Sequence, residues 1–162
     1  MTQMPPDEAR ADALARFTDP GPGHINCAQT VLRYALLVRG YDPELVKSAQ
    51  FFGGGVAGMG ETCGAITGSA LALGLCEYER MGQASGNQPA PDPDKPPLSE
   101  RLQALIRGFA QEFDALRCRD LTGHDLSTAE GRKVFHESED RHRCAEFVGW
   151  ACDRLTPLLL DP

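Results

Sequence analysis

Apolar residues recur every three or four positions through most of the chain, and no stretch combines period-two alternation with β-branched enrichment. The pattern predicts an all-α protein, a single-domain helical bundle of about five to six helices around a central apolar helix. A weak helix over Glu8 to Phe17 is followed by the turn-rich break Asp19-Pro20-Gly21-Pro22-Gly23. Asn26 is a good N-cap for a helix reaching Arg39, whose apolar stripe is Cys27, Val31, Tyr34, Ala35 and Val38, and Gly40 is its stop. Asp42 caps a third helix that begins at Pro43 and runs through Val46 and Ala49 towards Phe52.

After the run Gly53-Gly54-Gly55-Val56-Ala57-Gly58-Met59-Gly60, Thr62 caps a helix from Cys63 to about Arg80. That helix is small or apolar nearly all round, which makes it the buried centre, and Gly64, Gly68 and Ala72 form a flat ridge on which a neighbour can approach closely. Leu102, Leu105, Ile106, Phe109 and Phe113 define an amphipathic helix from Leu98 that ends before Cys118, and Leu121-Thr122-Gly123 closes the segment. A short helix around Thr128 to Phe135 follows, and a last one runs from Asp140 until Pro157 stops it. The chain thus divides into an N-terminal segment with a weak helix (1–23), a four-cysteine helical domain (24–155) and a C-terminal tail (156–162). The Pro-rich stretch 84–97 is expected to be an exposed, mobile loop within that domain, because it supplies too few backbone donors to pack.

Charge narrows the function classes. A formal net charge of −7 and the absence of a long Lys/Arg run leave no basic stripe for phosphate backbones or anionic lipids, so neither nucleic acid nor membrane is an expected partner. The N-terminal residues carry no apolar signal-like core and the longest apolar run is broken by glycines and hydroxyls, which points to the cytoplasm. In that compartment thiols stay reduced, so six cysteines call for catalytic, redox or metal-binding roles. A buried cysteine can equally serve as a small hydrophobe.

Individual cysteines differ in what surrounds them. Cys63 occupies the first turn of the central helix, where free backbone N–H groups and the helix dipole favour a thiolate, and this makes it the expected most reactive thiol. Cys27 starts a helix with His24 upstream as a base or hydrogen-bonding partner. Cys118 lies between Arg117 and Arg119, and Arg141 can share the face of Cys144 three residues on, whereas Arg143 cannot readily do so. Cys76 falls about 220° round the helix from Cys63 and points elsewhere. Other signals are weaker. Gly53 to Gly58 fits G-x-G-x-x-G without the strand a dinucleotide site needs. His136 and His142 are six apart and do not share one helix face, so they read as part of a solvated charged segment. Glu61 and Asp120 are candidate ligands, or simply compensate a helix dipole and pair with Arg119 respectively.

Asn26-Cys27-Ala28-Gln29, the Phe52 to Gly60 run, Cys63-Gly64-Ala65-Ile66-Thr67-Gly68, Leu73-Gly74-Leu75, Cys118-Arg119-Asp120-Leu121 and Cys144 together resemble the family described as "putative redox-active protein", C_GCAxxG_C_C. The resemblance spans residues 24 to 155 and implies a small helical protein with redox or metal chemistry at Cys27, Cys63, Cys118 and Cys144. Cys76 and Cys152 lie outside the pattern.

Two function classes follow. In one, two of the four cysteines cycle between dithiol and disulfide, giving a thiol-based oxidoreductase or electron carrier whose partner is a redox protein or a small thiol. In the other, the same four thiolates hold an iron–sulfur cluster or a zinc ion, a set that a homodimer can complete across its axis. In either case the four motif cysteines converge in space and Cys76 does not.

Overall fold

The computed structural model describes residues 2–83 and 95–162. Most of the Pro-rich stretch lies outside the described residues, so its expected exposure and mobility have no counterpart in the structure. The described residues form seven α-helices and one 3-10 helix and no strand, as the spacing of apolar positions predicts for the class. The elements are α1 (Pro6–Thr18), α2 (Cys27–Arg39), the 3-10 helix (Pro43–Ala49), α3 (Gly64–Gln83), α4 (Leu98–Phe113), α5 (Cys118–Thr122), α6 (Ala129–Glu137) and α7 (Asp140–Leu160). None is long and apolar enough to cross a membrane among the described residues.

Helix α2 is set by its ends. The Asn26 side chain accepts from the Gln29 amide while the Gln29 side chain accepts from the Asn26 amide, a reciprocal box that satisfies two orphan donors. At the other end Gly40 turns left-handed with φ 67°. Between them nearly every residue is buried, because α2 packs against α1, α3, α7 and the 3-10 helix at once. The Asn26 side-chain amide also donates to the carbonyls of Ala49 and Gln50, which ties the start of α2 to the end of the 3-10 helix. Helix α3 lies along α2 on its small-residue ridge, as expected. A Cβ on Gly68 would stand 2.6 Å from the Ala28 carbonyl oxygen, so only glycine permits this approach. Helix α4 closes the other side of α7 through Phe109, Phe113, Phe147 and Trp150, whose rings meet mostly edge to face.

Three local expectations are corrected. Pro157 does not stop α7, which continues to Leu160. The proline removes one donor, but Leu159 is fully buried and its carbonyl accepts from the Arg39 guanidinium at 2.9 Å, and these anchors hold the last turn. Thr62 does not cap α3. It pairs with Arg117 in an isolated antiparallel bridge, and the Cys63 amide donates to the Leu116 carbonyl at 2.8 Å, so Cys63 precedes the helix instead of lying in its first turn. Cys118 opens a five-residue helix, α5, that Gly123 ends with φ 73°.

Candidate functional site

Cys27, Cys63 and Cys118 sit at or beside helix starts and Cys144 in the second turn of α7, and three local devices position the first three. The first is the capped start of α2, which fixes Cys27. The second is the paired backbone of residues 60–63 and 116–119, in which the Cys118 amide donates to Glu61 and the Arg119 amide to Gly60. This pairing carries Cys63 and Cys118 on adjacent strips of chain. The third is the glycine-rich loop, where Gly54, Gly55, Val56, Ala57 and Gly58 all have positive φ, between 53° and 75°. Five successive residues therefore make a left-handed turn. Gly53, the residue before it, leaves no room for a side chain beside Asn26, where a Cβ would stand 2.8 Å from that residue's own Cβ.

Cys27 is the hub of the arrangement. Its sulfur lies against Gly64, the first residue of α3, and the backbone amides of Gly54 in the loop, of Ala28 in the first turn of α2 and of Gly64 favour its thiolate. The starts of two helices and a left-handed loop thus converge on one sulfur. Burial raises its pKa, and the neighbouring amides act in the opposite direction. Gly64 explains the glycine that follows Cys63 in the motif: a Cβ there would lie 2.2 Å from the Cys27 sulfur.

The other three thiols surround this hub, and charge on Cys27 bears on each of them. Burial pushes Cys63 well above the ordinary thiol range, helped by the charges of Cys27, Cys118 and Cys144 and opposed by the Ala65 amide. Burial and the Cys27 charge raise Cys118 to about 11, against the nearby Thr122 hydroxyl, which itself donates to the Cys118 carbonyl at 2.7 Å. Burial and the charges of Cys27 and Cys118 raise Cys144 to about 12. The expectation that the helix terminus makes Cys63 the most thiolate-like cysteine therefore meets a dominant opposing effect: its residue is only 5% exposed. Arg117 and Arg119 do not serve Cys118 either, because they pair with Glu61 and Asp125. Asp120 accordingly is not the partner of Arg119. At Cys144 the favourable charge is that of Arg143, the neighbour that helical spacing disfavours, whose guanidinium lies over the Phe147 ring.

Cys27, Cys118 and Cys144 open onto one cavity of about 560 Å³. Its floor is completed by Gly54, Gly58 and Leu126, and its mouth by Phe17, His24, Arg132, Phe135, His136, Arg141 and His142. His24 stacks on Phe17 with its Nδ1 3.2 Å from the Asp19 carbonyl oxygen, so it borders the cavity beside Cys27. Sequence reasoning passed over His136 and His142 because it tested them on one helix. They sit on α6 and α7 respectively and meet across the mouth, a juxtaposition with no signature in their spacing. Cys63 lies behind this wall. Cys76 is remote, held in contact with the Tyr41 hydroxyl at 3.8 Å beside Arg39 and Glu79, and Cys152 is fully buried on α7.

The donor set does not fit a closed metal site as placed. Among the described residues no three His, Cys, Asp or Glu side chains stand close enough to share one ion. What the arrangement offers is a thiol at the junction of two helix starts, two further thiols on the same cavity and a fourth outside its lining.

The sequence model of the family described as "putative redox-active protein (C_GCAxxG_C_C)" matches residues 25–158, and the chain belongs to that family. No curated protein and no solved structure matches it.

Proposed function

We propose that this member of the redox-active family works by thiol–disulfide exchange, with Cys27 as the attacking thiol and Cys118 or Cys144 as its resolving partner. The observation that carries the reading is the position of the Cys27 sulfur, on a cavity wall shared with Cys118 and Cys144 and against Gly64 at the start of α3. The Cys27 thiolate attacks one sulfur of a substrate disulfide. A bond forms between Cys27 and that sulfur as the substrate's own S–S bond breaks, and the departing thiolate takes up a proton. The second cavity thiol then gives up its proton and attacks the Cys27 sulfur, which forms a protein disulfide and releases the second substrate thiol. Two electrons pass from the protein dithiol to the substrate, and the reverse sequence oxidises a dithiol. Cys63, deep and held neutral, packs behind the hub. Four thiols that do not form a closed ligand set support this reading over an iron–sulfur cluster or zinc.

The test is equilibration of the protein across dithiothreitol redox buffers, followed by acid quenching and peptide mapping without reduction. The expected product is one intramolecular disulfide that contains Cys27. Thiols that stay free in every buffer would refute exchange chemistry.

A further inference from the structure

The cavity reverses the charge of the molecule around it. The chain carries a formal net charge of −7, yet among the described residues no Asp or Glu side chain lines the cavity, and its mouth presents Arg132, Arg141, His24, His136 and His142. Arg132 is engaged, donating to the carbonyls of Leu126 and Ser127. Among the described residues Arg141 has no hydrogen-bond or ion-pair partner, so its charge is available to a bound molecule. His142 has one exposed acidic neighbour, Glu139, at 3.4 Å, which stands outside the lining. Phe17, Phe135 and Leu126 give the same lining its apolar part.

We infer that the cavity takes a small anionic disulfide or thiol, a carboxylate-bearing compound of low molecular mass, with its carboxylate at Arg141 and its sulfur at Cys27. This rests on the exchange chemistry proposed above. The volume of about 560 Å³ falls within the usual range for small-molecule sites of roughly 300–1,000 Å³. Electrostatic attraction acts on encounter as well as on binding, so the preference shows in the second-order rate and fades with salt.

The experiment follows the oxidation of the fully reduced protein by three disulfides of similar size and different charge. They are 3,3′-dithiodipropionate, bis(2-hydroxyethyl) disulfide and cystamine, and each rate is divided by that for free N-acetylcysteine to remove intrinsic reactivity. The expected order is anion, neutral, cation, with the anion favoured over the cation at least about fivefold at low salt, the effect of one exposed charge contact. Arg141→Glu is expected to invert the order. Arg107→Glu, which makes the same change in net charge on exposed α4 away from the cavity, is expected to keep it. Oxidation by the neutral disulfide with no order by charge, or an order that Arg141→Glu leaves in place, would overturn the substrate class while leaving exchange chemistry standing. Failure of all three disulfides to oxidise Cys27 would overturn both.

Discussion

The Cα of Gly64 faces the sulfur of Cys27 so closely that a methyl group on it would stand 2.2 Å from that sulfur and 2.9 Å from the Ala28 amide nitrogen. The Ala28 nitrogen belongs to the α2 backbone and cannot swing aside, so the Cys27 sulfur must yield. Gly64→Ala is therefore expected to destabilise the fold by about 1–3 kcal/mol through overpacking and to dislodge the Cys27 thiol from its donors. Gly74 lies on the same helix, exposed and with nothing within 4 Å of an added Cβ. Gly74→Ala should stabilise by roughly 0.5–1 kcal/mol, the ordinary gain of alanine over glycine inside a helix. Urea titration of the two variants checks the contrast, which fails if both shift the midpoint in one direction.

Val56 has φ 61° and Ala57 φ 53°, left-handed values that a β-branched residue adopts only under constraint. Val56 is partly exposed and contributes little packing to offset this. Val56→Gly is expected to raise stability by about 0.5–1 kcal/mol, the balance between relieving the left-handed conformation and the greater freedom of glycine in the unfolded chain. Thermal unfolding measures it. A lowered midpoint would show that the Val56 side chain holds the loop in a way its exposure does not suggest.

Alkaline pH should unfold the protein through its thiols. Burial raises Cys118 to about 11, and both Cys144 and Cys152 to about 12, above the ordinary thiol range. A group whose pKa is higher in the folded state keeps its stabilising contribution below the unfolded value. It loses that contribution as pH rises from there towards the folded value, because the unfolded chain ionises first. Stability is expected to hold up to about pH 8.5 and then to fall, each such thiol adding up to ~1.4 kcal/mol per pH unit. Cys152→Ala should flatten the fall measured by urea titration between pH 9 and about 11. An unchanged slope would mean that Cys152 ionises as readily folded as unfolded.

The fold was legible where a residue acts through its own backbone. Asn26 and Gly40 mark both ends of α2, and the ridge of Gly64 and Gly68 announces a close helix neighbour. Pro157 misled because an anchored last turn, with Leu159 buried and its carbonyl held by Arg39, outweighs one missing donor. The four cysteines were legible as a set, but their ranking was not. Helix position argued for Cys63, and burial, which depends on what packs against a residue from elsewhere in the chain, argued against it. The basic mouth was hidden for the same reason, since His24, His136 and Arg141 come from separate segments that only the tertiary fold assembles.

The central claim is that Cys27 is the attacking thiol, and residue-resolved alkylation tests it most directly. The fully reduced protein is pulsed with iodoacetamide across pH 6 to about 10, a window around the free-thiol pKa of ~8.5, and the label is located by mass spectrometry. Cys27 is expected to label first at every pH, with a midpoint above ~8.5 because burial outweighs its backbone donors, followed by Cys118 and Cys144, with Cys63 and Cys152 last. Labelling that begins at Cys63 or Cys76 would contradict the account.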